Sequence, residues 1–336
     1  MSSPPGLDLD RLRARLDSPP LAAELIAGGK SNLTYRLTDG ERRWVLRRPP
    51  LGHVLATAHD MAREYRVLAA LAPTGVPVPR VELLCEDPDV LGAPFYLMEE
   101  VPGTVYRTAA DAAALSPERA RALSFALVDV LAELHGVEPA AVGLADFGRP
   151  EGYLERQVSR WHRQFEASRS REIPGIEELQ RRLAAAVPAP QRATVVHGDY
   201  RLDNTIAAAD DSIAAVLDWE MATLGDPLAD VGLMQVYWEM ADRMPGNAVT
   251  AAVRPEAGFP GMAELVERYA ARTGLDLAPL PWYTAFAQYK LAVIAEGIHY
   301  RYTQGKTVGE GFSGIGAVVP PLVAAALDAL ADHGEA

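Results

Sequence analysis

Between Ala193 and Trp219 a stretch of β-forming sequence stands inside a half of the chain that is otherwise patterned for helix. It reads VVHGDYRLDN from Val195 to Asn204 and IAAVLDWE from Ile213 to Glu220. The apolar pair Val195-Val196 predicts a short strand that delivers His197 and Asp199 to a loop, and Ile213 to Leu217 predicts a second strand ending at Asp218. Asp210-Asp211 suits the turn between them, because Asp side chains bond to nearby backbone. On this reading Asn204 and Asp218 face each other across a hairpin. Both carry hard oxygen donors, which suit Mg²⁺ in company with phosphate oxygens and water.

The sequence around this island divides into two unequal parts. Up to about Met98 it is rich in strand signals. Leu33 to Thr38 and Arg43 to Arg47 read as short strands joined at Asp39-Gly40, a hairpin-turn dipeptide. Thr57 to Leu71 reads as a helix, with Met61, Tyr65 and Leu68 three and four apart. Val81 to Cys85 and Phe95 to Val101 are further strand candidates, and Pro102-Gly103 marks a break. Beyond it, Ser116-Pro117-Glu118 is a helix start that runs to a stop at Gly136, and helices are expected near 151–168, 227–240, 260–272 and 281–303.

Composition narrows the function classes. A formal charge of −13 over 336 residues argues against a nucleic-acid partner, since phosphate backbones are held by clustered Lys and Arg. The single cysteine, Cys85, permits no intramolecular disulfide. No apolar run reaches the length of about 18 residues that a membrane span needs; Ala285 to Ile298 is interrupted by Lys290 and Glu296. The N-terminus shows no signal-peptide core, so a cytoplasmic chain with no membrane partner is expected.

His197, Asp199 and Asn204 match the H-x-D-x-x-x-x-N spacing of kinase catalytic loops, followed by an acidic strand end at Asp218. With LDWE and the later GDPLAD stretch, this pattern resembles the aminoglycoside phosphotransferase-like kinases, and more closely the kinase-like domains fused to some acyl-CoA dehydrogenases. The resemblance runs from about Ile26 to the last helices. It implies an α+β, protein-kinase-like two-lobed fold: residues 1–98 as an antiparallel sheet with a helix, 99–103 as the hinge, and 104–336 as a mainly helical lobe.

What the resemblance implies for chemistry is transfer of the γ-phosphoryl group of ATP or GTP, with Mg²⁺, to the hydroxyl of a small acceptor. A metabolic hydroxy acid or hydroxyacyl-CoA is favoured over an aminoglycoside. Asp199 is then the catalytic carboxylate, Arg201 a cation beside the transferred phosphate, and Asn204 and Asp218 the metal ligands. Gly28, Gly29, Ser31 and Asn32 belong to a phosphate-covering loop, in which glycines let backbone N–H groups approach closely. Glu64 pairs with a cation on the strand Trp44 to Arg48, and Glu99 to Val101 hold the base of the nucleotide. Asp226 and Asp230 cap a helix and brace the catalytic loop, with His197 and Asp230 as supports. Tyr289, Glu296, His299 and Arg301 are candidates for lining the acceptor pocket, and His135 is read as a helix C-terminal cap.

The sequence departs from the kinase pattern at Arg47, where the family places lysine. Its planar fork differs from a point-like ammonium, which opens the alternative of a catalytically impaired, kinase-fold binding protein. Asp218-Trp219-Glu220 replaces the D-F-G triplet, and Asp226-Pro227 follows too soon for a long activation segment, which disfavours a protein kinase. Gly29-Lys30-Ser31 fails as a P-loop ending because Glu24 stands where glycine is required. Gly311-Phe312-Ser313-Gly314-Ile315 fails as a hydrolase elbow at Ile315.

Overall fold

A computed structural model describes residues 4–26, 32–51, 59–243, 252–306 and 314–331, with the side chains of 241–243 excepted. The first part of the chain forms helix α1 (Leu9–Leu16), strands β1 (Ala22–Leu25), β2 (Leu33–Thr38) and β3 (Arg43–Arg48), helix α2 (Met61–Leu71), strand β4 (Val81–Cys85), a one-turn helix α3 (Pro88–Leu91) and strand β5 (Phe95–Glu99). The strands make one antiparallel sheet in the order β1-β2-β3-β5-β4. The β2–β3 hairpin is closed at Asp39, whose carboxylate accepts from the backbone N–H groups of Glu41 and Arg42 at 3.1 and 2.7 Å. Gly40 takes a φ of 98° there, a conformation that favours glycine.

Strand alternation decides which side chains meet the cleft. Trp44, Leu46, Phe95 and Leu97 pack with Leu12 and Leu91 on the face covered by α1 and α3. Val45, Tyr96 and Met98 turn the other way, onto Met61, Val67 and Leu68 of α2. Arg47 shares this second face by its period of two, and Arg48 the first, where its guanidinium donates to the carbonyls of Gly6 and Leu91. Helix α2 runs from Met61, where Asp60 caps it by accepting from Arg63 N at 2.9 Å; the expected start at Thr57 lies outside the described residues. Its buried face carries Met61, Glu64, Val67, Leu68 and Leu71, the three-and-four spacing of an amphipathic helix with one carboxylate inside it.

The remainder is mainly helical: α4 (Ala109–Ala112), α5 (Pro117–Gly136), α6 (Tyr153–Ser168) and α7 (Ile176–Ala185) come first. Strands β6 (Thr194–Val196), β7 (Thr205–Ala207), β8 (Ile213–Val216) and β9 (Thr223–Gly225) follow, then helices α8 (Leu228–Arg243), α9 (Met262–Thr273), α10 (Leu280–Thr303) and α11 (Val319–Ala331). Helix α10 is buried on several sides and packs against α6, α7, α8 and α11. The strand island differs from expectation in its pairing. The Val195-Val196 strand, β6, pairs with β9, and β8 pairs with β7, so two small ladders replace the single hairpin. Sequence reading passed over β7 and β9 because three residues are too few to display an alternation. It also passed over α7 and α11; the latter carries Pro320-Pro321 in its first turn, where proline is tolerated.

Candidate active site

The catalytic loop candidate hangs between β6 and β7 and is held from below by a buried carboxylate. Asp230, in the first turn of α8, accepts from the backbone N–H of His197 at 2.6 Å and of Gly198 at 2.8 Å. It also accepts from Nε2 of His135 at 3.2 Å. Burial alone pushes the Asp230 carboxyl up, but its hydrogen bond and proximity to His135, with His197 beside it, outweigh burial and leave it below the usual carboxylate range. His135 is thus no helix cap. It is buried, with Nδ1 2.7 Å from the Tyr269 hydroxyl, and α5 ends on Val137 instead. Asp226 accepts from Leu228 N at 2.9 Å and so caps α8.

His197 joins the loop to the neighbouring ladder. Its Nε2 lies 2.8 Å from the Leu217 carbonyl, and its Nδ1 3.2 Å from the Asp199 backbone N–H. A carbonyl can only accept, so these partners assign the proton to Nε2. Gly198 adopts a φ of 82°, and a Cβ there would meet the Met221 carbonyl oxygen at 2.8 Å. This tight turn presents Asp199 outward.

Both carboxylate oxygens of Asp199 are engaged. Tyr237 donates its hydroxyl to Oδ1 at 2.8 Å, and Asn204 donates Nδ2 to Oδ2 at 3.0 Å and to the Asp199 carbonyl at 2.9 Å. Arg201 Nε reaches Oδ2 at 3.3 Å, while its Nη1 pairs with Asp203 at 3.0 Å and its guanidinium lies 5.2 Å from the centre of the Tyr237 ring. Asn204 is fixed in turn by its backbone carbonyl, which accepts from Leu217 N at 2.8 Å. That bond, with the β7–β8 register, sets Asn204 beside the strand end that carries Asp218. Asp218 itself sits in the left-handed region at φ 65°, which turns it out of the strand.

From the other part of the chain comes a second charged cluster. Arg47 Nε donates to Glu64 at 2.8 Å, and Nη2 donates to Asp218, with Glu220 3.8 Å away. Burial works against the Arg47 charge, yet Glu64, Asp218 and Glu220 outweigh it and hold the guanidinium above its ordinary range. Glu64 also accepts from the Tyr96 hydroxyl and from Asn32 Nδ2, each at 2.9 Å. Asn32 is buried, donates to Glu220 at 3.1 Å, and has its carbonyl oxygen 2.7 Å from His59 Nδ1. Glu99, at the end of β5, accepts from Arg80 N at 2.8 Å, and the partly buried Val101 follows it. Gly28, Gly29 and Ser31 lie outside the described residues, as do Gly311, Phe312 and Ser313.

The structure thus brings Asp199, Arg201 and Asn204 together, and links Asp218, Arg47, Glu64 and Asn32 in one network. Of the four acceptor-pocket candidates, Tyr289 accepts from Gln180 at 2.7 Å and Glu296 accepts from Ser170 and Arg171 at 2.6 and 3.0 Å. These contacts tie α10 to α7 and to the segment after α6. It is Lys290 that reaches the loop, donating to the Gly198 carbonyl at 3.0 Å. Lys290 and Tyr237 escaped sequence reading. Tyr237 stands seven residues after Asp230, on the same face of α8, and Lys290 is a lone ammonium in an apolar helical run.

Comparison with known proteins accords with this geometry. Residues 22–282 match the model of the phosphotransferase enzyme family. Acyl-CoA dehydrogenase family member 10 of Mus musculus is 38% identical over 284 residues, covering 83% of this chain but only 26% of its own length. A candidate aminoglycoside phosphotransferase from Ralstonia eutropha superposes with a TM-score of 0.83 at 32% identity, covering 97% of this chain and 98% of that one. A thermostable mutant of aminoglycoside phosphotransferase APH(4)-Ia, solved as a ternary complex with AMP-PNP and hygromycin B, shares the fold at a TM-score of 0.65 and 14% identity, over 96% and 97% of the two chains. The fold is kinase-like, with an antiparallel N-terminal sheet and a helical remainder, and the chain belongs to the phosphotransferase enzyme family.

Proposed function

We propose that this phosphotransferase moves the γ-phosphoryl group of ATP or GTP to the hydroxyl of a small acceptor. The observation that carries the reading is Asp199: a carboxylate oriented by Tyr237, Asn204 and Arg201, on a loop that Asp230 holds by two backbone N–H groups. A carboxylate fixed in this way orients an incoming hydroxyl and takes its proton as the oxygen bonds to phosphorus and the nucleoside diphosphate departs. Arg201 lies two residues on and supplies positive charge for the transferred group.

Asn204 and Asp218 are the proposed holders of magnesium. With the Asn204 amide nitrogen committed to Asp199, its carbonyl oxygen is the acceptor that remains, and Asp218 adds a carboxylate. Two hard oxygen donors supplemented by phosphate oxygens fit that ion, which when bound neutralises phosphate charge. Arg47, held in place by its pair with Glu64, supplies the cation for the nucleotide phosphates from the sheet side, with Gly28, Gly29, Ser31 and Asn32 in the covering loop. Asn32 contributes by fixing Glu64 and Glu220. Glu99 and Val101 contact the base in a hinge at 99–103, between lobes at 1–98 and 104–336. The AMP-PNP bound to the APH(4)-Ia protein supports a nucleotide co-substrate. The likeness to an acyl-CoA dehydrogenase family member supports a metabolic hydroxy acid or hydroxyacyl-CoA over an aminoglycoside.

The test is nucleotide turnover by the purified protein with Mg²⁺ against hydroxy acids, hydroxyacyl-CoAs and aminoglycosides, with Asp199→Ala beside it. Acceptor-dependent turnover lost in the variant is expected. Nucleotide binding with no turnover on any acceptor class would favour the impaired, binding-only reading of Arg47.

A further inference from the structure

Arg201 stands between two carboxylates, each two residues away in the chain. Its Nε donates to Asp199 at 3.3 Å and its Nη1 lies 3.0 Å from Asp203, while the third nitrogen, Nη2, has no partner among the described residues. The single 3₁₀ turn Leu202–Asn204 makes this arrangement possible. Arg201 enters the turn extended, and the backbone N–H of Asn204 donates back to the Arg201 carbonyl at 3.0 Å. Leu202 is buried and anchors the turn, so Asp203 folds back beside the guanidinium. The Tyr237 ring centre lies 5.2 Å from the guanidinium carbon, and the Tyr237 hydroxyl donates to Asp199.

The Asp203 side chain is only 14% exposed, and its Oδ1 is buried without a hydrogen-bond partner among the described residues. A carboxylate satisfied on one side only destabilises a fold unless it serves a charge nearby. That charge is Arg201. Burial works against the guanidinium, but Asp199 and Asp203 outweigh it and hold the group above its ordinary range. With Asp199 as its one partner, a forked guanidinium would close on it side-on, placing two N–H groups on a single carboxylate. That pairing would occupy the oxygens that must orient a hydroxyl and would turn the cation away from phosphate. Asp203 draws one arm aside. A single long bond to Asp199 remains, and Nη2 stays open.

Granted the phosphoryl-transfer reading, we infer that Asp203 is a positioning residue for the reaction: it holds Arg201 off Asp199 and fixes the guanidinium with its third nitrogen open to the transferred phosphoryl group. In this role Asp203 touches neither acceptor nor nucleotide and acts through Arg201 alone. The base and the cation, two residues apart, are thereby kept from neutralising each other before the substrates arrive.

The experiment compares wild type with Asp203→Asn, Asp203→Glu, Arg201→Met and the Arg201→Met, Asp203→Asn double variant. Each is measured by steady-state turnover of nucleotide with Mg²⁺, on the acceptor class that wild type consumes, and by urea unfolding. Asp203→Asn is expected to lower kcat about ten- to a hundredfold, the scale of a misplaced catalytic group, with both KM values within about threefold of wild type. Asp203→Glu retains the carboxylate and should recover part of the loss. In the Arg201→Met background, Asp203→Asn should change kcat by less than about twofold, because a residue acting through Arg201 then has nothing to position. Should Asp203→Asn fail to fold, Asp203→Glu, which displaces the carboxylate by one methylene, takes its place in both backgrounds. An unchanged kcat, or an equal loss with and without Arg201, would overturn the inference and leave Asp203 as a local ion pair of the turn. A fall in urea stability with kcat intact would do the same. Wild type inert on every acceptor removes the phosphoryl-transfer reading and this inference together. A wild type that turns over beside an Asp203→Asn variant of equal kcat removes the inference and leaves the reading standing.

Discussion

Arg47 and Asp218, 171 residues apart in the chain, share a hydrogen bond from the Arg47 guanidinium Nη2 to the Asp218 carboxylate. One comes from the face of β3 that meets α2, the other from the end of β8. The same guanidinium donates through Nε to Glu64, whose side chain is only 2% exposed. The bond therefore ties the N-terminal sheet to the proposed metal ligand, and the forked geometry of arginine is what allows one side chain to hold both carboxylates.

Removing that fork should be severe. Arg47→Ala leaves Glu64 buried with no counter-charge, and is expected to cost about 3–5 kcal/mol of stability, the range for breaking a buried ion pair from one side. Arg47→Lys retains a charge for Glu64 but lacks the second arm. It should unfold between wild type and alanine and should alter nucleotide KM more than acceptor KM. Thermal or urea unfolding together with the two KM values checks this; an alanine variant as stable as wild type would show that the pair contributes nothing.

Asp199 and Tyr237 separate chemistry from orientation. Asp199→Asn keeps shape but loses the proton acceptor, so kcat is expected to fall about 10²–10⁴-fold, the usual span for general acid–base work. Tyr237→Phe removes one hydrogen bond to the carboxylate and should lower kcat roughly ten- to a hundredfold. Steady-state kinetics on the two variants would show the ranking, and a Tyr237→Phe enzyme with unaltered kcat would remove Tyr237 from the site.

Gly198 tests the turn that carries Asp199. Its φ of 82° disfavours any side chain, and an added Cβ meets Met221 at its carbonyl oxygen and its own Cβ, at 2.8 and 2.9 Å. Because the neighbour is partly backbone, it cannot simply swing away. Gly198→Ala is expected to cost about 1–3 kcal/mol and to lower kcat by displacing the loop. Denaturant unfolding and kcat, measured together, distinguish a shifted loop from a harmless methyl.

How much of this was legible beforehand follows from the physics of each element. The β2–β3 hairpin, α5 and α10 announce themselves through turn dipeptides, caps and long apolar stripes, and these are local signals. The spacing of His197, Asp199 and Asn204 was readable because one tight loop holds all three. The pairing of the strands was not: β6 joins β9 across the intervening β7–β8 ladder, and three-residue strands take their partners from tertiary packing. Lys290 and Tyr237 were hidden for a related reason. Each lies on a helix whose rotation about its axis is set by neighbours far away in sequence, so nothing local says that it faces Asp199. His135 misled in the opposite sense, since a basic residue near a helix end suits the dipole. Here it is buried as the partner of Asp230.

Acid should release the brace beneath the catalytic loop. The groups facing the Asp230 carboxylate are His135, the imidazole of His197, and the backbone N–H groups of His197 and Gly198. They hold its folded pKa below the ordinary value of 3.8 despite burial. A carboxylate depressed in the folded state binds fewer protons there than in the unfolded chain. Its contribution is therefore complete above the unfolded value and is lost as pH falls through the folded one. Asp230→Asn removes the ionic part of the brace and keeps the shape, so the stability gap between wild type and variant should be widest near neutrality and should close on acidification below about pH 4, where unfolded carboxylates take up protons. Urea unfolding of both proteins from pH 3 to 7 measures the gap. A gap that stays constant or widens in acid would mean that Asp230 supports Gly198 and Asp199 by hydrogen-bond geometry alone, without its charge.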